Sequence, residues 1–355
     1  MSHKSSARVT LPSAKAVLEQ LLAHARDHDV LLEQTGPETV KILVGNGSIG
    51  ISANDTGLSF DICAESVSIL YFLKEAAVQH LGEIAPETAE ALRWRDQQQN
   101  GPARAAPPSF HELSLAGASE PLSGLIRLRL NGDGDLSGLA GPGIHVKLML
   151  PATAGRAPVW PQTSPNGLTV WPKGEDTLHV RYYTIKSIDL KTGELDIDIV
   201  RHKGGLIADW AETALPGAKI GLLGPGGGEE PGPAHHVLLC GDQTALPALA
   251  RMLENLPDNV SGDIIGEADG LASLQSYLPT AGLNLHALPK EQFASSLKSY
   301  AAQLTSKQKP DFAWFAGEHN TAQDMRRFFK SELGLSKGRQ FAITYWRDGA
   351  SLEAG

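Results

Sequence analysis

Hydrophobic and polar positions along the chain fall into three successive regimes. In residues 13–26 the apolar side chains Val17, Leu18, Leu21, Leu22 and Ala25 recur at helical spacing, with Ser13 as the candidate N-cap. Short strand-like runs follow at 30–34, 40–44, 47–53 and 58–63, punctuated by the turn residues Asn46-Gly47 and Asn54 to Gly57. A second helical run covers about 66–81. Residues 1–95 therefore predict a helix, a strand meander and a helix, an α+β sandwich. Residues 96–108 are polar, then Pro/Ala-rich and without period, and read as a linker. From 109 to 233 strand-like runs dominate, at 125–130, 143–150, 178–188, 195–201 and 219–223, with one helical piece at 204–214. Six or so short antiparallel strands in this length predict a small barrel. From 234 to 355 apolar strands at 237–241, 264–267, 283–288, 312–316 and 341–346 alternate with amphipathic helices. That alternation predicts a doubly wound α/β domain whose ligands bind beyond the carboxyl ends of its parallel strands.

Composition narrows the class. No apolar run approaches the roughly 20 residues that span a bilayer, and the first six residues lack the apolar core of a secretory signal. The expectation is a cytoplasmic protein with no membrane partner. A net charge of −9 argues against nucleic acid and means that an anionic ligand needs a local cationic pocket. Cys63 and Cys240 fall in separate strand-like segments, and no C-x-x-C occurs. His24, His28 and His80 lack a third ligand at a recognisable spacing, so no metal centre is expected.

Candidate chemistry concentrates in two places. The strand bearing Arg181-Tyr182-Tyr183-Thr184 offers a cation for a phosphate, an aromatic surface for a planar ring and a hydroxyl for the ring's edge. That combination suits a flavin nucleotide. Gly204-Gly205 precedes the short helix, where backbone amides and the helix's positive end can meet a pyrophosphate. In the last domain the strand ends carry Gly241, Asp242, Gln243 and Thr244, then Glu267, Gly317, Glu318, Trp346 and Arg347, without a G-x-G-x-x-G fingerprint. Lys173, Arg156, Lys290, Arg326 and Arg347 are candidate cations for an anionic substrate.

Five separated stretches in residues 109–355 resemble the siderophore-interacting protein family, FAD-dependent ferric-siderophore reductases of ferredoxin-reductase-like fold. They are Trp171-Pro172-Lys173-Gly174 before Arg181 to Thr184; Asp196 to His202 leading to Gly205, Asp209 and Trp210; Gly224-Pro225; Gly241 to Ala248; and Ala313 to Glu318 with Tyr345-Trp346-Arg347. Residues 1–95 resemble a bacterial family of unknown function, DUF2218. The resemblance implies that Arg181, Tyr183 and Thr184 hold FAD, with Tyr183 and Thr184 at the reacting ring. It places His202, Gly205, Leu206, Ile207 and Ala208 at the phosphates and Trp210 close by. Gly241, Asp242, Thr244 and Trp346 would face the flavin from the second domain, and Lys173 and Arg347 would meet a ferric siderophore. Two departures stand out: the family's Gly-Pro-Ala-Ser is here Gly205-Leu206-Ile207-Ala208, and its Gly-Asp-Glu-Thr is Gly241-Asp242-Gln243-Thr244.

The implied reaction moves electrons from NADH or NADPH through FAD to chelated Fe(III), releasing Fe(II). Glu267 and Asp269, beyond the second strand of the α/β domain, favour NADH by accepting ribose hydroxyls and repelling a 2′-phosphate. Reduced ferredoxin is the alternative donor. The rival functions are a general NAD(P)H:flavin or quinone reductase and a non-catalytic siderophore-binding module.

Overall fold

The computed structural model describes residues 2–27, 31–44, 47–95, 106–140, 143, 145–226, 234–279 and 282–349. Its first unit runs β1 (His3–Thr10), α1 (Ala14–Asp27), β2 (Leu31–Gly36), β3 (Thr39–Val44), β4 (Gly47–Asn54), β5 (Gly57–Ala64), α2 (Val67–Ile84) and α3 (Pro86–Ala91). The sheet order is β1-β5-β4-β3-β2, antiparallel throughout. The meander and both long helices form as the pattern predicts, but a strand precedes them. β1 buries Ser5, Ala7 and Val9, so its inward face is too small and polar to print a hydrophobic alternation. Most of the anticipated linker, residues 96–105, lies outside the described residues.

The second unit runs β6 (Phe110–Ser119), β7 (Leu125–Gly132), β8 (His145–Pro151), β9 (Gln162–Thr163), β10 (Thr169–Val170), β11 (Leu178–Asp189), β12 (Glu194–Val200), α4 (Leu206–Thr213) and β13 (Lys219–Gly226). Strands β11-β12-β7-β6-β13-β8 close into a barrel, while β9 and β10 form a small separate hairpin. Inward residues such as Leu128, Leu130, Leu148, Ile197 and Leu222 fill the barrel, and Ile207 and Ala208 of α4 join that core.

The third unit runs β14 (His236–Gly241), α5 (Leu246–Asn255), β15 (Ser261–Glu267), α6 (Leu271–Tyr277), β16 (Asn284–Leu288), α7 (Lys290–Thr305), β17 (Phe312–Glu318), α8 (His319–Arg327) and β18 (Gln340–Trp346). All its strands are parallel in the order β16-β15-β14-β17-β18. The order reverses between β14 and β17, the switch point where such sheets open a ligand crevice.

Barrel and sheet are locked together. Arg127 of β7 donates through Nε and Nη2 to the two oxygens of Asp198 on β12, at 2.8 and 2.7 Å, and the Tyr277 hydroxyl of α6 donates to the same carboxylate. Lys186 meets Glu254 at 3.2 Å, and Arg251 Nη2 donates to Leu139 O at 3.2 Å. No helix among the described residues is long and apolar enough to cross a membrane.

Candidate functional site

The site begins with a change of partner along β11. Residues Leu178 to Thr184 pair with β8, whereas Ile185 to Asp189 pair with β12. Beyond Ile197, β12 continues with β7 alone. Beyond that rung the two strands share no ladder bonds, and the edge of 181–184 and the end of β12 at Asp198 to Val200 outline a candidate slot. The chain leaves β12 through His202 and enters α4. A planar ligand with a phosphate tail fits such a slot, because backbone groups line its side and a helix start closes its end.

Strand alternation divides the side chains. Arg181 and Tyr183 point with Leu148 and Val146 to the barrel side, whereas Tyr182 and Thr184 point with Lys147 and His145 to the other face. One ligand reaches Arg181, Tyr183 and Thr184 together only along the strand's edge, which side chains from both faces flank. Arg181 Nη1 donates to Val180 O at 2.7 Å, and burial pushes the Tyr183 phenol up from its ordinary pKa. Thr184 is 4% exposed. Its ladder partner His145 is driven down to about 4 by burial, which keeps the imidazole neutral, and its ring meets the edge of Tyr345 at 5.3 Å. The Tyr345 hydroxyl is buried with no hydrogen-bond partner among the described residues.

At the slot's end Gly205 caps α4 without a side-chain acceptor, leaving the first amides of the helix to another partner. His202, held by Nδ1 against Val200 O at 2.9 Å, lies across Gly205. A Cβ on residue 205 would fall 2.1 Å from His202 Nε2, so a side chain there would displace the ring. Leu206 and Trp210 pack at the rim of the barrel core. The departure to Leu206-Ile207-Ala208 thus keeps the turn's amides and turns Ile207 and Ala208 inward.

The facing wall is built from the strand ends of the α/β domain. Asp242 is 4% exposed and satisfied within its own domain. Its Oδ1 accepts from the Thr244 amide at 2.9 Å and from the Thr244 hydroxyl, and its Oδ2 accepts from the Glu318 amide at 3.0 Å and Trp346 Nε1 at 2.8 Å. The carboxylate therefore ties the ends of β14, β17 and β18 together and orders the wall. Desolvation raises its pKa even so. Gly241 serves the close approach of α5, since a Cβ there would stand 2.6 Å from Ala245 Cβ. Gln243 Nε2 donates to Ser123 O of the barrel at 3.0 Å. A glutamate at this position could not donate that bond. Glu267 is also turned inward, accepting from the Gln243 amide, and burial followed by the Asp242 charge raises it to about 7. Trp346, 41% exposed, is the part of this wall that remains open.

Of the candidate cations, Lys173 and Lys290 are exposed. Arg347 Nη2 lies 2.7 Å from His319 Nε2, Arg156 is paired with Asp176 at 2.8 Å and Glu175 at 3.1 Å, and Arg326 bonds Ala342 O. Sequence reasoning missed Lys147, whose ammonium lies 5.4 Å from the ring centres of both Trp171 and Tyr182 on the face that carries Thr184. The signal was present in the outward phase of the strand beginning at His145. His80 faces Glu83 at 3.5 Å, Cys63 and Cys240 are unpaired, and His28 lies outside the described residues.

A closed barrel with a parted strand edge and an uncapped helix start, followed by a parallel sheet reversing beside it, defines a flavoprotein of ferredoxin-reductase-like fold. Family models agree: residues 119–229 match the siderophore-interacting FAD-binding domain, 234–349 match the siderophore-interacting protein model, and 6–95 match a family described as an uncharacterized protein conserved in bacteria, DUF2218. The NADPH-dependent ferric-chelate reductase of Escherichia coli is 30% identical over 67% of this chain and 92% of its own length. The ferric vibriobactin reductase ViuB of Vibrio cholerae is 27% identical over 65% of this chain and 86% of its own. The crystal structure of the siderophore-interacting protein SipS from Aeromonas hydrophila superposes with a TM-score of 0.57 at 27% identity, covering 70% of this chain and 94% of that one. The chain belongs to the siderophore-interacting protein family.

Proposed function

We propose that the protein is an FAD-dependent reductase of ferric siderophores that draws electrons from NADH or NADPH and releases Fe(II) in the cytoplasm. The observation that carries this reading is the parting of β11 from β12 between Arg181–Thr184 and Asp198–Val200, next to an α4 start that has no side-chain cap among the described residues. The residues fit FAD. Arg181, His202 and the Gly205 to Ala208 amides would hold the phosphates, Tyr183 and Thr184 would border the ring, and Trp210 and Trp346 would flank it. Gly241, Asp242 and Thr244 set the shape of the wall opposite.

Bound FAD supplies the one property that amino acids lack, taking two electrons as a pair and giving them up singly. The protein's share is placement and electrostatics. Burial keeps the His145 imidazole neutral and holds the phenols of Tyr183 and Tyr345 in their protonated form, so these three neighbours of Thr184 carry no charge of their own. The ferric ion arrives inside its chelate, held by hard oxygen donors that grip Fe(II) less well. One nicotinamide therefore reduces two ferric complexes. Lys147, Lys173 and Arg347 supply positive charge for anionic complexes, and Trp171 and Tyr182 supply flat apolar faces for aromatic iron-binding groups. Preference for NADH rests on exposed Asp269 alone, because Glu267 faces inward.

Steady-state turnover with each nicotinamide against ferric siderophores and quinones tests the reading. We expect ferric chelates to be the better oxidants, with Fe(II) recovered by a ferrous-specific dye. Equal or faster turnover of quinones would assign the protein to the general reductases instead.

A further inference from the structure

Between β8 and β11 the chain leaves the barrel for residues 152–177 and returns carrying Trp171 and Lys173. The hairpin within this excursion is built into the first domain rather than into the barrel. Leu168 packs against the core of the first domain, beside residues such as Leu58, Phe60 and Trp94. Trp94 Nε1 donates to Asn166 O at 3.0 Å, and Asn166 Nδ2 donates back to Ala89 O at 3.0 Å, both in buried surroundings. The Thr169 amide donates to Glu75 Oε1 at 3.0 Å, and the Tyr71 and Thr169 hydroxyls lie 3.1 Å apart. Ser164 Oγ accepts the Leu168 amide at 2.9 Å and fixes the turn itself. Reciprocal buried bonds from fully buried Trp94 and from Asn166 describe an interface with one geometry, where a tethered module would show exposed polar contacts.

The excursion ends at functional ground. β10 stops at Val170, and the next residue, Trp171, faces Lys147, which also faces Tyr182 on β11. On the far side of Lys173, Arg156 binds Glu175 and Asp176 and closes the loop back to β11. The position of the Trp171–Lys173 wall is therefore set from one end by the first domain.

We propose that the N-terminal domain is a brace for this wall: by gripping Asn166, Leu168 and Thr169 it holds Trp171 against Lys147, with exposed Lys173 two residues on, and so selects which iron complex approaches the slot. Trp94, Glu75, Asn166 and Leu168 are positioning residues that touch neither cofactor nor substrate. The selection rests on the ferric-chelate reading above, whereas the grip itself does not.

The test loosens the grip from each side in the full-length protein. One variant is Glu75→Ala with Trp94→Phe, which removes two interdomain donor–acceptor pairs and leaves a smaller aromatic side chain in the core. The other is Leu168→Glu, which places a charge in the first core. Amide hydrogen exchange over 162–177 reports docking, retained FAD and ferricyanide turnover report the reductase machinery, and KM and kcat for a ferric tris-catecholate and for ferric citrate report selection. Both variants are expected to exchange faster in 162–177 and to raise KM for the catecholate about tenfold, the equivalent of one or two hydrogen bonds of positioning. FAD content, ferricyanide turnover and the response to ferric citrate should stay near wild type. Faster exchange with both KM values unmoved overturns the brace, as does wild-type exchange in 162–177 as fast as an open coil. A wild-type protein that reduces no ferric chelate overturns the substrate reading and the selection with it, while the exchange data still decide the docking.

Discussion

Removing the Asp198 carboxylate should weaken the barrel and loosen its contact with the sheet through Tyr277. Its side chain is wholly buried, and both oxygens are engaged, by the Arg127 guanidinium and by the Tyr277 hydroxyl, whose ring lies 5.8 Å from the same guanidinium. Asp198→Ala leaves a cation with its counter-charge gone and a buried phenol with no acceptor. Breaking a buried pair from one side costs about 3–5 kcal/mol, and because the Arg127 side chain keeps 24% of its exposure the lower end applies. Tyr277→Phe removes one hydrogen bond to a charged group and keeps the ion pair, about 1.5–3 kcal/mol. At the 2–4 °C per kcal/mol of domains this large, Asp198→Ala should melt about 6–12 °C below wild type. The double variant should fall short of the sum, since both changes remove the same contact. Thermal melts followed in parallel by circular dichroism and flavin fluorescence provide the assay, with flavin release preceding loss of secondary structure in Asp198→Ala because Asp198 stands on a slot wall. A loss below about 1 kcal/mol, or strict additivity, would refute the account of this lock.

Three further outcomes follow from the geometry. Gly205→Ala drives a methyl into His202 and should lower retained FAD sharply while melting within a few degrees of wild type, measured by the flavin-to-protein absorbance ratio. Gln243→Glu sets a carboxylate against the Ser123 carbonyl and should destabilise the protein more at pH 8 than at pH 5, read from melting temperatures. Glu267 holds its proton more tightly folded than unfolded, up to about 7, so it withdraws stability as pH rises from the ordinary carboxylate range through that value. Glu267→Gln should accordingly out-melt wild type at pH 8 and match it near pH 5, and equal curves would contradict the inward-facing carboxyl.

Periodicity made the three architectures readable because α1, α2, the long barrel strands and the parallel strands each bury several large apolar residues in phase. It failed where burial falls on small or polar groups, as in β1 with Ser5 and Ala7, and where elements are too short to show a period, as in β9 and β10. Their hairpin is held by Asn166, Leu168 and Thr169, and no local pattern marks those residues as partners of Trp94 and Glu75. The residues proposed for the slot stand in contiguous motifs, Arg181 to Thr184 and His202 to Ala208. The donor set of Asp242 does not, since it comes from strand ends up to 104 positions away. Lys147 escaped notice for the same reason, its aromatic neighbours lying on other segments.

The most direct measurement is an anaerobic titration of the purified protein with NADH, then NADPH, then a ferric siderophore, following the flavin band and trapped Fe(II). The account predicts a yellow protein bleached by a nicotinamide and recoloured by the ferric complex, with two Fe(II) trapped per nicotinamide consumed. A colourless protein that takes up no FAD, or a bleached protein that the ferric complex leaves bleached, would contradict it.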